Sequence, residues 1–279
     1  MIEYQYLGEF NIGGKMRVID IYEKNDLDRL MIDKKSIKEI MDSFFMKYPA
    51  RYRRNYDKNL RHIELYQLDE INDSWRAKYF PTIDKILFIE PYHIIHELMH
   101  MAHYDRKKDL MAIEQKEILW EDALIEGAAE YLANEATGYP TCAYIFETFV
   151  ICMLSSIDNF FEPFFIPSYE QFIKLFPNKK DILSLMYALN FYHHNYDICE
   201  DSEEYPLVVN KLGVAIREVI DSLINIEIGI DKDENSRRLY QEKFMDLITS
   251  EFVHLNLVDF FYNYRDYANE QLKRKIRVK

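Results

Sequence analysis

A chain of 279 residues is long enough to bury a sizeable core, and 48% hydrophobic with 30% charged residues is the composition of a globular protein, not a disordered one. The formal net charge of −13 argues against nucleic acid as a partner, because phosphate recognition needs a cationic face. Three cysteines, Cys142, Cys152 and Cys199, form no CxxC pair, so they supply neither a disulfide framework nor a zinc knuckle and read as free thiols in a reducing compartment. The start, Met1-Ile-Glu-Tyr-Gln-Tyr, lacks the cationic and apolar regions of a secretion signal. The most apolar stretch, about Ala143 to Ile157, is interrupted by Glu147 and too short for a membrane span. The expectation is a cytoplasmic protein with no membrane partner.

Taken in order, residues 4 to 23 alternate loosely around Asn11-Ile-Gly-Gly14, which predicts two strands joined by a glycine turn. From Asp33 to about Met46, Ile37, Ile40, Met41, Phe44 and Phe45 recur at helical spacing, with Asp33 as the N-cap. The cations Arg51, Arg53 and Arg54, and the tail from Lys273 to Lys279, read as solvated surface. His62 to Leu68 predicts a strand, residues 72 to 81 a loop, and Lys85 to Ile89 a short buried or edge strand. Pro91 to Tyr104 predicts a helix, with Pro91 in the first turn where its missing N–H costs nothing. The run Asp105 to Asp109 ends it. Beyond, helices are expected near 110–136, 140–157, 168–177, 179–195, 205–223, 235–250 and 255–274. The aromatic block Phe160 to Phe165 reads as core packing or lobe contact, with the wall of an apolar substrate pocket as the alternative.

Strands grouped first and helices later indicate an α+β fold with a small N-terminal sheet and a mostly helical C-terminal half. Two lobes fit this order: residues 1–110 with the edge strand, and the helical residues 111–279. The helix Pro91 to Tyr104 would then form the floor of the cleft between them.

That helix contains His96-Glu97-Leu98-Met99-His100, an HExxH arrangement. Spacing i, i+4 stacks both imidazoles on one side of a helix, one turn apart, where two neutral nitrogens can grip one Zn²⁺. At about 100° per residue, Ile94, Ile95, Leu98, Met101 and Ala102 gather on a core face, and His93, His96, Glu97, His100 and His103 on the other. Catalytic zinc needs a third protein ligand. Asp122, Glu126 and Glu130 recur every fourth residue in Asp122-Ala-Leu-Ile-Glu126-Gly-Ala-Ala-Glu130-Tyr-Leu-Ala, so they share one helical face. Like charges so placed repel mildly unless a cation lies near them.

His96-Glu97-Leu98-Met99-His100 followed by Glu126-Gly127-Ala128-Ala129-Glu130-Tyr131 resembles the gluzincin group of zinc metallopeptidases, the thermolysin-like and aminopeptidase-like enzymes. The resemblance runs from about residue 85 to about 135. It implies one Zn²⁺ per chain, held by His96, His100 and Glu126, with Glu130 hydrogen-bonding a ligand imidazole and Gly127 letting the two helices approach closely. Asp122 stands in reserve on the same face. Ile125, where many members carry Asn, and the long interval from His100 to Glu126 leave the subfamily open.

In such a site Glu97 is expected to act as general base and then as acid toward the leaving amine. An oxyanion donor is expected from Tyr192, His193, His194 or Tyr196, with His194 preferred. His93 and His103 are expected to line the cleft or bond to backbone. The strand before the zinc helix is expected to pair with an extended peptide or protein substrate. The rival readings are a catalytically silent zinc-binding or regulatory module of the same fold, and a dedicated single-substrate processing protease or toxin.

Overall fold

A computed structural model describes residues 18–69, 76–114, 121–138, 144–155 and 157–196, with Val214, Glu218, Ser222 and Ile226 as isolated helical positions. The glycine turn at residues 11–14, Cys142, Cys199 and the helices expected at 235–250 and 255–274 fall outside the described residues. Within them the architecture is α+β, with small N-terminal sheets among helices and a helical C-terminal part.

The principal sheet holds β1 (Val18–Glu23), β4 (Glu64–Leu68), β5 (Ala77–Phe80) and β6 (Lys85–Phe88), in the order β1-β4-β6-β5. β1 runs antiparallel to β4, β4 parallel to β6, and β6 antiparallel to β5. Residues expected as a loop thus include the strand β5, and the strand expected before the zinc helix is internal to the sheet. Side chains alternate across the sheet: Leu68, Phe80 and Leu87 cluster on one face, while Leu65, Ile86 and Phe88 are fully buried on the other. β2 (Met31–Ile32) and β3 (Lys35–Ser36) form a small hairpin. Asp33 sits in its turn with φ 54°, a conformation that Asp tolerates better than most residues.

Asp33 is therefore not the cap of the next helix. Helix α1 (Ile37–Phe45) starts from Ser36, whose Oγ accepts from the Glu39 N–H at 3.2 Å while the Ser36 N–H donates to Glu39 Oε2 at 2.8 Å. All five apolar residues expected to face inward on it are buried. Helix α2 (Arg53–Asn59) follows. Of the nearby arginines, Arg51 pairs with Glu162 at 2.8 Å and Arg53 with Asp42 at 2.6 Å.

Helix α3 (Pro91–His103) packs against β5 and β6, and Ile94, Ile95, Leu98, Met101 and Ala102 are all fully buried as the periodicity predicts. Its last carbonyls lack helical partners. Asn59 Nδ2 supplies them, donating to the Met101 and Tyr104 carbonyls at 2.8 Å each. The chain then turns through a two-stranded hairpin, β7 (Tyr104–Asp105) and β8 (Leu110–Met111), where helix was expected from 110. Helix α4 (Asp122–Thr137) ends at Gly138, whose φ of 76° only glycine adopts without strain.

The remaining helices are α5 (Ile145–Leu154), α6 (Glu162–Phe165), α7 (Tyr169–Lys174) and α8 (Lys179–Tyr196). The chain falls into two compact units, residues 1–114, 128–143 and 161–169, and residues 115–127, 144–160 and 170–279. In the first, Phe164 and Phe165 are buried, with the Phe165 ring 4.9 Å from that of Tyr52. In the second, Phe172 lies between Phe160, at 6.1 Å, and Phe176, at 5.1 Å. The aromatic block from Phe160 to Phe165 is core, as its composition suggests.

Candidate metal centre

The i, i+4 spacing on α3 has the effect expected of it. The Nε2 atoms of His96 and His100 face one another at 2.9 Å. His96 Nδ1 lies 2.8 Å from Glu130 Oε2, so the carboxylate holds the imidazole by its far nitrogen and turns Nε2 toward His100. Glu126 is one turn before Glu130 on α4. One donor atom from each of His96, His100 and Glu126 lies within 4.8 Å of the others, and the three form a group that could hold a metal ion.

The donor set fits a divalent cation of borderline softness, with two imidazole nitrogens and a carboxylate oxygen. A second observation agrees. Glu130 is buried and its Oε1 has no hydrogen-bond partner among the described residues, so its charge needs compensation from the imidazole it touches. A cation at the opposite ring nitrogen would provide this through His96.

Glu97 is buried beside the two histidines, and its Oε2 accepts the main-chain N–H of Tyr79 on β5 at 2.7 Å. Neither Tyr79 nor its strand is marked by local sequence. The expected placement of His103 is overturned. The ring is fully buried against Phe164 and Phe165, and neither nitrogen has a hydrogen-bond partner. Burial drives its pKa well below the usual histidine value, so the ring is neutral core. His93 also has a buried, unpartnered Nδ1.

Around Glu126 lie other predicted groups. His193 Nδ1 is 2.9 Å from Glu147 Oε1, and Glu147 is buried on α5. Burial lowers the His193 pKa, but the Glu147 hydrogen bond and charge outweigh it and hold the pKa above the ordinary value. His194 Nε2 is 3.6 Å from Asp122 Oδ2, with both side chains about half exposed. Burial raises the Asp122 pKa, and the Glu126 charge adds to it against His194. Tyr192 is buried, its ring 4.7 Å from Phe146. The side chain of Tyr196 lies outside the described residues.

A Cβ on Gly127 would lie 2.7 Å from the carbonyl carbon of Glu147, so its bare backbone admits the close approach of α5. Glu147 is the residue that sequence reasoning passed over. Its one visible signal is a lone carboxylate within an apolar helix, which calls for a buried partner.

Among known proteins, no family model, no curated protein and no solved structure matches this chain.

Proposed function

We propose that this chain is a zinc-dependent metallopeptidase that cleaves a peptide or protein by Glu97-assisted attack of water. The observation that carries the reading is the convergence of His96, His100 and Glu126, with the buried carboxylate of Glu97 on the same helix. The resemblance to gluzincins at these residues favours zinc over other ions of similar preference.

Zinc in such a site supplies Lewis acidity, polarising a carbonyl and making water acidic enough to attack near neutral pH. His96 and His100 would hold it through the Nε2 atoms that face one another, and Glu130 keeps the His96 ring oriented by accepting at Nδ1. Glu97 takes the proton of the attacking water on a carboxylate oxygen and returns it to the departing amine. His194, with Asp122 at its ring, and His193, with Glu147, are the groups assigned to steady developing negative charge.

The substrate-pairing strand is reassigned. β6 is flanked on both sides, whereas among the described residues β5 ends the sheet and is the strand to which an extended peptide would add, at main-chain groups other than the Tyr79 N–H that Glu97 takes.

Elemental analysis of the purified protein tests the reading. About one zinc per chain is expected in the wild type, with most of it lost in Glu126→Ala. Glu97→Gln should keep the metal and lose cleavage of a peptide library. No zinc after reconstitution would remove the proposal, and zinc with no cleavage of the library would leave the silent binding module and the single-substrate protease as the two readings.

A further inference from the structure

We propose that the main-chain N–H of Tyr79 positions Glu97, so that the edge strand β5 sets the orientation of the carboxylate on the metal helix. The description of that carboxylate as the base rests on the peptidase reading; the hydrogen bond itself does not.

Strand geometry identifies this N–H as belonging to the open side of β5. The Ile89 N–H donates to the Arg76 carbonyl at 3.1 Å, so residue 76 points toward β6. Antiparallel residues alternate, which puts Lys78 and Phe80 in the ladder and aims the Tyr79 N–H away from it. That outward N–H reaches Glu97 Oε2 at 2.7 Å, the length of a charge-assisted bond.

Both ends are fixed. Tyr79 is buried, with its ring 6.3 Å from Tyr104, and Glu97 projects from a helix buried along the same face. The terminal torsion of a glutamate is otherwise broad. A donor on one oxygen fixes the plane of the carboxylate, and reactions depend steeply on such alignment.

The test uses zinc-reconstituted protein labelled with ¹³C-carbonyl lysine and ¹⁵N tyrosine. The chain contains two Lys-Tyr dipeptides, Lys47-Tyr48 and Lys78-Tyr79, so two correlated amide signals appear, and Tyr79→Phe removes one and assigns both. The Tyr79 amide is expected to exchange with solvent slowly, and about tenfold faster in Glu97→Ala, as loss of one hydrogen bond implies. Tyr48 should stay unchanged as the internal reference. Glu97→Gln, which keeps an acceptor oxygen, should retain part of the protection. Equal Tyr79 exchange in wild type and Glu97→Ala overturns the inference.

A second variant separates positioning from mere satisfaction of a buried group. Tyr79→Pro deletes the N–H without removing a ladder bond, which an edge strand tolerates. With a peptide that the wild type cleaves, kcat should fall about tenfold or more, as alignment effects imply, while zinc content and KM hold. Unchanged kcat overturns the positioning role. If the wild type cleaves nothing in the peptide library, the reading as a broad peptidase fails, and the exchange result still decides whether Tyr79 holds Glu97.

Discussion

Glu130 touches the metal centre only through the His96 ring, yet it is the most deeply buried of the acids on that face. Its carboxylate holds the ring by Nδ1, so that Nε2 would be the nitrogen offered to a bound ion. Glu130→Gln keeps an acceptor but discards the charge, and should lower zinc affinity about 10- to 100-fold. Competition with a chromophoric chelator measures this, and an unchanged affinity would show that the charge plays no part. The group that could hold a metal was legible, because two histidines on one helical face leave an i, i+4 trace and the third donor lies in a recognisable local string. The pairing of Glu147 with His193 left only a lone carboxylate in an apolar helix, which does not say which partner it meets. Their bond joins residues 46 apart and depends on how two helices face each other, which local periodicity does not encode.

At the scale of elements, the same pair fastens α5 to α8. Its pKa is raised in the fold, so the stabilisation is complete below the unfolded histidine value of about 6.5 and is lost as pH rises through the folded value. His193→Phe should therefore cost about 2 kcal/mol at pH 6, as expected for a hydrogen bond between charged groups. The cost should shrink in alkaline solution. Urea unfolding at both pH values measures it, and a pH-independent difference would mean that packing alone was lost. Helices α1 and α3 were readable from apolar spacing. Strand β5 was not, since Ala77-Lys-Tyr-Phe80 is only four residues long and takes its order from β6 and α3. The start of α1 moved from Asp33 to Ser36 because the intervening residues close a hairpin, a use of Asp that competes with capping.

Across the whole molecule, the α+β class followed from the sequence of strand and helix patterns. Among the described residues no helix is long and apolar enough to cross a membrane, consistent with the interruption of the most apolar stretch by a buried acid. The amide of Asn59 carries a further consequence. It closes the end of the HExxH helix from 42 and 45 residues upstream, on a segment that bears no resemblance to any metal site. Asn59→Ala should thus cost about 2 kcal/mol by orphaning buried carbonyls, read as a lower unfolding midpoint. More broadly, the stretch that bears the candidate metal group is not a transplantable cassette. A synthetic fragment of residues 85–138 would carry every proposed ligand and still lack the clasp and the neighbouring strand β4, and circular dichroism of that fragment should find little helix for zinc to settle into.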